Sequence, residues 1–455
     1  MAAAYDLVII GGGAAGSEAA FSVADGGKTR ILIAESHHFG GTCTNHGCVP
    51  TKALVKAAKV VHTMRTAAEF GIEAVEPRFS WPHVIGRAYR VRDYMLRFGA
   101  APFEESGVEV RFPATARLSG ERRVSIDGDE LETSAVLLAG GLEAFVPPIP
   151  GLREAGYLDN ESVLELQELP RRMAVIGAGP IGAEFAQVFA RFGVEVTLVE
   201  ALDRLLPPEE PESGAALWEA FNREGISVRT MARVERVERS SSGRVLHFAG
   251  GDRLEVDEIL VAVGRSLDGA GLGLDTVGIE WTPKGVRVDS TLRTSVPWAW
   301  AAGDVTGGAL FTHTASAMGP VAARNALAGG GSERYEPRIV PRVTFTDPEV
   351  ASVGLTEREA RASGRPVRVG MALVKDAEKA EIDGQEIGHV KVVASASDGE
   401  LLGCSIVSEN AGDMIHEAVA IMAGRVPVGV VAAEMHAYPT LSELMRSALS
   451  EAASA

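Results

Sequence analysis

The chain has 455 residues, of which 46% are hydrophobic and 23% charged, and its formal net charge is -17. This length predicts about three domains, and the composition is typical of a globular protein. The negative charge argues against nucleic acid and anionic membranes as partners, because both attract basic surfaces. No apolar run approaches the ~20 residues of a membrane span, and the opening residues, MAAAYDLVIIGGG, lack the basic region of a signal peptide. We therefore expect a cytoplasmic protein that acts on small molecules.

Residues 5–35 have the order of elements that a dinucleotide-binding unit requires. An apolar segment, YDLVII, precedes Gly11-x-Gly13-x-x-Gly16, and a small-residue helix and a second apolar segment, ILIA, lead to Glu35. Gly11 permits a tight turn, Gly13 lets the backbone approach a pyrophosphate, and Gly16 lets helix and strand pack closely. The helix N-terminus offers amide groups to the phosphates, and Glu35 can accept hydrogen bonds from ribose hydroxyls.

The same pattern returns in residues 173–200, MAVIGAGPIGAEFAQVFARFGVEVTLVE. A strand precedes Gly177-x-Gly179-x-x-Gly182, a helix follows to about Phe192, and the next strand ends at Glu200. The repeat predicts a second bound dinucleotide. An acid at the end of this strand favours the free 2′-hydroxyl of NAD, whereas NADP favours an arginine. Glu200 therefore indicates NAD(H), with the nearby Arg204 leaving NADP as the alternative.

The remaining segments indicate how the chain is divided. Residues 136–151, VLLAGGLEAFVPPIPG, are predicted to form a strand followed by a proline-rich domain boundary. A similar segment, ILVAVGRSLD at 259–268, is predicted to end the second unit. WAWAAGDVTGG at 298–308 is an apolar strand ending at Asp304. From about residue 338, alternating segments such as RVTFT, VKVVAS and LLGCSIV predict an antiparallel sheet with helices, which is a third domain.

Two of the three cysteines, Cys43 and Cys48, stand five positions apart in GGTCTNHGCVPTK. A structural disulfide, a metal clip and a redox-active pair are the alternatives. A reducing compartment disfavours the first. His37, His38 and His46 lie nearby in sequence, but no second cysteine or histidine cluster follows to complete a tetrahedral metal site. The redox-active pair is the leading interpretation. The third cysteine, in the apolar segment LLGCSIV, is interpreted as packing.

The residues after the pair predict a helix that begins near Cys48. Apolar residues recur at helical spacing from Leu54 to Val61, and Pro50 suits a first turn. The partial positive charge of a helix N-terminus favours a thiolate at Cys48, and a thiolate is both a nucleophile and an electron donor.

Taken together, these motifs resemble the flavoprotein disulfide reductases, the family of dihydrolipoamide dehydrogenase, glutathione reductase and mercuric reductase. The resemblance covers nearly the whole chain in order, and GGTCTNHGCVPTK has the family's C-x4-C-x-P-[ST]-K form. It implies FAD on the first unit, NAD(P)H on the second, and a C-terminal domain that builds a homodimer. It also implies that each active site includes residues from the C-terminus of the partner subunit. By the same resemblance, Cys48 faces the flavin and Cys43 exchanges with the substrate.

The resemblance also implies the cofactor contacts by position. Lys52 is expected near the reactive nitrogen of the flavin, paired with Glu184, and Asp304 on the ribityl chain. The expected FAD contacts are Gly11, Gly13, Gly16, Glu35, Thr42, Lys52, Ala116, Asp304 and Thr312. The expected NAD contacts are Gly177, Gly179, Gly182, Glu200, Val234, Ala262 and Arg265. One departure is that Gly140 replaces the threonine of the family's Ala-Thr-Gly segment near the flavin linker.

A second departure concerns the acid–base residue. Residues 434–449, EMHAYPTLSELMRSAL, resemble the family's segment H-x-H-P-T-x-x-E, in which the histidine before proline is the base and the glutamate orients it. Here Tyr438 precedes the proline, Glu443 keeps its place, and His436 matches only the first, non-catalytic histidine. A histidine titrates near ~6.5 and a tyrosine near ~10, so a tyrosine does not readily accept a thiol proton at neutral pH.

We therefore expect an α/β fold with two Rossmann-like dinucleotide-binding domains plus a C-terminal α+β dimerisation domain. The expected parts are an FAD-binding domain in 1–147 and 267–337, an NAD-binding domain in 148–266 and a dimerisation domain in 338–455. The predicted function is that of a homodimeric FAD-dependent NADH:disulfide oxidoreductase, similar to dihydrolipoamide dehydrogenase, with a redox-active Cys43–Cys48 disulfide. Because of Tyr438, a mercuric or other metal-ion reductase or a quinone reductase is the alternative. A non-enzymatic redox sensor is a further alternative. No resident metal is expected.

Overall fold

The computed structural model describes residues 4–241 and 243–454. The described residues fall into two compact units, each made of separate stretches of the chain. The first unit comprises the described part of residues 1–53 together with Gly86–Phe145 and Gly264–Pro337. The second comprises Leu54–Ile85 and the described parts of Val146–Val263 and Arg338–Ala455.

The strands are numbered in chain order. They are β1 (Tyr5–Ile10), β2 (Ile31–Ala34), β3 (Glu109–Arg111), β4 (Ala116–Gly120), β5 (Arg123–Ile126), β6 (Asp129–Leu138), β7 (Glu143–Ala144), β8 (Arg172–Ile176), β9 (Glu195–Val199), β10 (Ser227–Arg229), β11 (Val234–Ser240), β12 (Gly243–Phe248), β13 (Arg253–Val256), β14 (Glu258–Val261), β15 (Arg265–Ser266), β16 (Trp281–Thr282), β17 (Gly285–Val286), β18 (Ala299–Ala301), β19 (Arg342–Thr344), β20 (Glu349–Gly354), β21 (Val367–Leu373), β22 (His389–Ser395) and β23 (Leu401–Ser408).

The helices are numbered in the same way. They are α1 (Ala14–Val23), α2 (Gly41–Asn45), α3 (Cys48–Thr66), α4 (Trp81–Met95), α5 (Ala101–Glu105), α6 (Leu152–Ala155), α7 (Pro180–Arg191), α8 (Pro211–Arg223), α9 (Leu274–Val277), α10 (Thr312–Leu327), α11 (Glu357–Ala362), α12 (Glu378–Asp383), α13 (Ala411–Gly424), α14 (Val428–Ala432) and α15 (Ser442–Ser454). Short 3-10 helices span Ala67–Phe70, Ser162–Glu165, Asp304–Thr306 and Val374–Asp376.

The first unit is built on a mixed sheet in the order β3-β2-β1-β6-β5-β4, with β18 beside β6. The strands from β3 to β6, and β18, run parallel, whereas β6, β5 and β4 are antiparallel neighbours. The apolar residues of β1 and β2 are buried, as expected for parallel strands that are covered on both faces. Helix α10 packs against α1, where a Cβ on Gly319 would collide with the carbonyl oxygen of Ala15.

The second unit contains a parallel sheet in the order β10-β9-β8-β14 and an antiparallel sheet in the order β11-β12-β13. A further antiparallel sheet, β19-β20-β23-β22-β21, is formed by the C-terminal part of the chain. Helix α15 packs on β21 and β22, and α13 packs on β23 and β20. This packing buries a core that includes Val390, Ile406 and Met445.

The turn after β1 is repeated after β8, and glycine is required at both. Gly11 has φ 111° and Gly177 has φ 104°, which other residues rarely adopt. A Cβ on Gly16 would collide with the carbonyl oxygen of Gly11, and one on Gly182 with that of Gly177. These contacts bring each helix close to its strand, so the two predicted strand–turn–helix units are confirmed.

The predicted α/β character and the antiparallel C-terminal sheet are likewise confirmed. The predicted helix after the cysteine pair begins at Cys48, as expected. The third cysteine, Cys404, is buried on β23 within the core, and burial raises the pKa of its thiol, so its interpretation as packing agrees with the structure.

Candidate active site

The cysteine pair lies in the first unit at a break between two helices. Cys43 belongs to α2, and Cys48 is the first residue of α3. The α2 helix starts from Gly40 and Gly41, which have φ 90° and 65°. Gly47 has little room for a side chain, since a Cβ there would be 3.0 Å from the carbonyl oxygen of Thr42. The glycines around the pair therefore permit the short loop that brings the two cysteines together.

The two side chains are free thiols that hydrogen-bond to each other, and they are not equivalent. The hydrogen bond from Cys43 lowers the pKa of Cys48 to about 6, against the opposing effect of burial. The hydroxyl of Thr312, whose oxygen lies 3.7 Å from the Sγ of Cys48, and the charge of Lys52 also lower this pKa.

The same hydrogen bond has the opposite effect on Cys43. It raises the pKa of the Cys43 thiol, and burial and the negative charge of Cys48 raise it further. Near neutral pH the reduced pair therefore carries one proton, which is held on Cys43, and one negative charge, which is held on Cys48. This is the charge state of a dithiol that is ready for thiol–disulfide exchange or for binding a soft metal ion.

The first glycine-rich turn has the shape of a phosphate cradle. A Cβ on Gly13 would meet only the Cα of Gly41, at 3.7 Å, so the backbone at the start of α1 is open to a ligand. No side chain caps this helix N-terminus, and its amide groups remain available for phosphate. Glu35 follows β2, and its carboxylate accepts hydrogen bonds from the backbone amides of Gly12 at 2.7 Å and His37 at 2.8 Å. These residues fit the diphosphate and ribose of FAD.

Other predicted FAD residues also lie in the first unit. Thr42 is in α2, Ala116 is the first residue of β4, and Thr312 is the first residue of α10. Asp304 begins the short 3-10 helix after β18, and burial raises the pKa of its carboxyl.

Two residues that were predicted to contact different cofactors form an ion pair with each other. The guanidinium of Arg265, expected to contact NAD, lies 2.8 Å from the carboxylate of Asp304, expected to contact FAD. The charge of Arg265 opposes the effect of burial on Asp304. No signal in the sequence pointed to this pair, because the two residues are far apart along the chain.

The second glycine-rich turn is also open, and it lies in the second unit. No atom of the described residues lies within 4 Å of a Cβ built on Gly179, which precedes α7. The carboxylate of Glu200, after β9, accepts hydrogen bonds from the backbone amides of Ala178 and Leu202, each at 2.8 Å. Val234 begins β11 and Ala262 follows β14. The open turn and the acid at the strand end fit the diphosphate and ribose of NAD(H).

Glu184 is buried in α7, with 3% of its surface exposed, and its Oε1 accepts a hydrogen bond from the backbone amide of Phe345 at 2.9 Å. One turn later, Gln187 exchanges two hydrogen bonds with the backbone of Asp347. These contacts tie α7 to the residues that follow β19. Lys52 lies on the part of α3 that belongs to the first unit, and its pairing with Glu184 stays a prediction.

The three C-terminal candidates do not hydrogen-bond to one another within the chain. The Nε2 of His436 lies 2.9 Å from the Oε1 of Glu417. The Oε2 of Glu443 accepts a hydrogen bond from the backbone amide of Thr440 at 3.3 Å. Tyr438 is 69% exposed. Glu443 thus binds the backbone just before α15, a contact that sequence reasoning did not anticipate.

Among residues 4–241 and 243–454, no three histidine, cysteine or acidic side chains are grouped so that they could hold a metal ion. In the same part of the chain, no helix is both long and apolar enough to cross a membrane.

The two open glycine turns and the dithiol define a class of protein, the dinucleotide-dependent dithiol oxidoreductases. Residues 5–319 match the sequence profile of the pyridine nucleotide-disulphide oxidoreductases, and residues 340–449 match the dimerisation domain of the same family. The chain belongs to this family, its cofactors are FAD and NAD(H), and its C-terminal domain supports a homodimer.

Similar proteins cover nearly the whole length of the chain. The dihydrolipoyl dehydrogenase of Bacillus subtilis (strain 168) is 34% identical over 452 residues, which are 97% of each chain. The mercuric reductase of Streptomyces lividans is 34% identical over 458 residues, which are 98% of this chain and 95% of that one. Among solved structures, the Cu(II) complex of the HOCl-induced flavoprotein disulfide reductase RclA of Escherichia coli is 28% identical, with a TM-score of 0.87 over 98% of this chain and 99% of the other.

These similarities confirm the expected family, fold class, cofactors and type of enzyme. The chain is a flavin-dependent pyridine nucleotide-disulfide oxidoreductase similar to dihydrolipoyl dehydrogenase, with Cys43 and Cys48 close together as a redox-active pair requires. The roles of the individual site residues and the domain boundaries stay predictions.

Proposed function

We propose that this enzyme passes electrons from NADH to a thiophilic metal ion, which Cys43 and Cys48 bind as it is reduced. The observation that carries the proposal is the arrangement at the C-terminal segment. Tyr438 stands where the family's acid–base segment has its base, and both His436 and Glu443 are hydrogen-bonded elsewhere. A missing general base typically lowers the rate of a proton-dependent reaction by about 10²- to 10⁴-fold. Reduction of a metal ion does not require that base.

The charge state of the cysteine pair supports the same acceptor. The Cys48 thiolate can bind a soft cation without first losing a proton, and binding of the cation lowers the pKa of the neighbouring Cys43 thiol. Two thiolates suit mercuric or copper ions better than hard cations such as Mg²⁺. Mercuric reductases are among the similar proteins, and the similar RclA structure is a Cu(II) complex.

A bound FAD would supply hydride chemistry with NADH and the transfer of electrons in pairs or singly. The chain's own residues bind and orient the reactants. Gly13 and Gly179 admit the diphosphates, Glu200 receives the NADH ribose, and Thr312 and Lys52 stabilise the negative charge on Cys48. Oxidation of one NADH releases two electrons and one proton. One mercuric ion or two cupric ions are therefore reduced per NADH.

We further propose that three parts of the chain have distinct roles. Residues 1–147 and 267–337 bind FAD, residues 148–266 bind NADH, and residues 338–455 form the dimer. The exposure of the C-terminal segment supports a role between subunits. Met435 is 95% exposed and Tyr438 69% exposed in the single chain. In the homodimer this segment would complete the active site of the partner subunit.

A small disulfide such as lipoamide is the second candidate acceptor. The 34% identity with dihydrolipoyl dehydrogenase and the retained Glu443 favour it. The position of Tyr438 argues against efficient turnover, because oxidation of dihydrolipoamide requires removal of thiol protons. A quinone would also need no thiol base.

An acceptor screen tests the proposal. The FAD-loaded homodimer is supplied with NADH and, in separate assays, mercuric ion, cupric ion, lipoamide, glutathione disulfide and a soluble quinone. We expect the highest kcat/KM with a metal ion, and its loss in both the Cys43→Ser and the Cys48→Ser variants. Higher kcat/KM with lipoamide or quinone would contradict the proposal. Absence of NADH oxidation with every acceptor would favour the redox sensor.

A further inference from the structure

Three histidines that the proposed function does not use lie beside the redox-active loop. His37 and His38 follow Glu35, whose Oε1 accepts hydrogen bonds from their backbone amides at 2.8 and 3.1 Å. His46 directly follows the α2 helix, and its backbone amide donates to the carbonyl oxygen of Thr42 at 2.9 Å. The backbone of each histidine is therefore fixed, although they come from different segments of the first unit.

Two of these rings are in contact. The ring centroids of His38 and His46 are 4.4 Å apart in an edge-on arrangement, whereas those of His37 and His38 are 6.4 Å apart. His38 is exposed, so the pair can be reached from solvent on that side, whereas His46 is half-buried and its Nε2 is buried. Neutral imidazole is the commonest metal ligand in proteins.

The pair is also close to Cys43 along the chain. His46 directly follows α2, the helix that contains Cys43, and its backbone amide binds the carbonyl oxygen of Thr42, the residue before Cys43. A metal ion bound by the two imidazoles would therefore lie beside the loop that carries the cysteine expected to exchange with the substrate.

We propose that His38 and His46 form an acquisition site for a borderline divalent metal ion such as Cu(II), and that they pass the ion to Cys43 and Cys48. The proposal rests on the proposed function, since it concerns the delivery of the same substrate. Two nitrogen ligands leave several positions of the ion open, and open positions allow the ion to leave quickly. The site therefore differs from a resident metal centre, which the described residues do not form.

The transfer is an exchange of ligands without a change in the oxidation state of the metal. The bonds between the ion and the two imidazole nitrogens break, and bonds to the sulfurs of Cys43 and Cys48 form. Cys48 enters as a thiolate, whereas the proton of the Cys43 thiol must leave. That proton passes to solvent water. Imidazole suits Cu(II), and thiolate suits the softer Cu(I) that reduction produces.

A binding experiment tests the site apart from turnover. Cu(II) alone is titrated into the FAD-loaded enzyme carrying Cys43→Ser and Cys48→Ser, so that only nitrogen and oxygen ligands remain. The electron paramagnetic resonance spectrum reports nitrogen coordination. We expect one site per chain with nitrogen hyperfine structure, weakened about tenfold or more by His38→Ala and by His46→Gln. The exposed His83 of α4 is the matched control, and His83→Ala should leave the affinity unchanged.

A second measurement separates this proposal from the proposed function. In the enzyme with both cysteines, His38→Ala should raise the apparent KM for cupric ion about tenfold. Metal-dependent NADH oxidation with an unchanged KM and unchanged Cu(II) binding in both histidine variants would overturn the acquisition site and leave the proposed function standing. Nitrogen-coordinated Cu(II) that depends on His38, without metal-dependent NADH oxidation, would overturn the proposed function alone. Because His38 is exposed, its variant should fold even if His46→Gln does not.

Discussion

The hydroxyl of Thr312 lies 3.7 Å from the sulfur of Cys48, and this contact joins residues 264 positions apart. Thr312 is the first residue of α10, the helix that packs on α1 and so on the first dinucleotide turn. The threonine thus connects the redox-active loop to the helices that shape the FAD site. Together with the hydrogen bond from Cys43, this contact lowers the pKa of Cys48 to about 6.

The Thr312→Val substitution should raise the pKa of Cys48. A hydrogen bond to a charged group contributes about 1.5 kcal/mol, and its loss corresponds to a rise of roughly one pKa unit. Ultraviolet absorbance of the thiolate is measured against pH in the reduced enzyme, with Cys48→Ser as the reference. Thr63→Val on the exposed side of α3 is the control and should leave the midpoint near 6. A midpoint that does not move in Thr312→Val would show that the hydroxyl does not stabilise the thiolate.

The Tyr438→His substitution should raise lipoamide turnover at least about tenfold, because it restores a group that accepts a thiol proton near neutral pH. NADH-dependent reduction of lipoamide is measured at several pH values, and the gain should depend on the titration of the new histidine. Tyr94→His, at another exposed tyrosine, is the control. If Tyr438→His gives no gain, this position does not limit proton transfer.

NADH should reduce the flavin at least about tenfold faster than NADPH at equal concentrations. The carboxylate of Glu200 would lie near the 2′-phosphate of NADPH, and such like-charge contacts cost several kcal/mol. Stopped-flow absorbance of the flavin measures both rates. Glu200→Gln should narrow the difference, whereas Glu195→Gln at the exposed start of β9 should not. Faster reduction by NADPH would mean that Arg204, rather than Glu200, determines the choice of coenzyme.

Removal of Arg191 should lower the stability of the second unit. Its guanidinium is 5% exposed and lies 2.7 Å from Glu224 and 2.9 Å from Asp347. Arg191→Ala leaves the carboxylate of Glu224, which is 11% exposed, without its cationic partner, whereas Lys59 still lies 3.4 Å from Asp347. Breaking a buried ion pair in this way typically costs about 3–5 kcal/mol. Thermal unfolding of the FAD-loaded enzyme is the measurement. Arg287→Ala removes an ion pair whose arginine is 81% exposed, and a cost of about 0–1 kcal/mol is expected there. Equal midpoints for the two variants would contradict this account.

His389 should make the second unit sensitive to acid. It is 2% exposed on β22, and burial, only partly offset by Glu212, lowers its pKa to about 4. The unfolded chain, with a histidine pKa near 6.5, binds a proton that the folded chain excludes between pH 6.5 and 4. Stability from this group is therefore present above pH 6.5 and is lost as the pH falls towards 4, by an amount on the order of 3 kcal/mol.

The measurement for His389 is the unfolding midpoint in denaturant at pH 7 and at pH 5. His389→Asn should reduce the loss between these values, because asparagine does not titrate. His83→Asn, at an exposed histidine, should show the same loss of stability between pH 7 and pH 5 as the wild type. An equal pH dependence in wild type and His389→Asn would assign the acid sensitivity to other groups.

The sequence alone was sufficient to predict the two dinucleotide units and the cysteine pair. Gly11 and Gly177 need positive φ, and Gly16 and Gly182 need close contact with the preceding turn. These requirements concern the local backbone, so they are visible in the sequence as glycines at a fixed spacing. The pairing of Cys43 with Cys48 is likewise local, because the glycines between and before them shape one short loop.

Only the tertiary structure decided which distant residues the predicted site residues contact. Thr312 meets Cys48, Arg265 meets Asp304, and Glu184 meets the backbone of Phe345. Each of these contacts depends on where the folded strands and helices bring a residue, and a hydrogen bond between distant residues imposes no spacing on the sequence. Local backbone geometry is therefore readable from residue order, whereas the protonation and the partners of the reactive groups follow from the packing of separate segments.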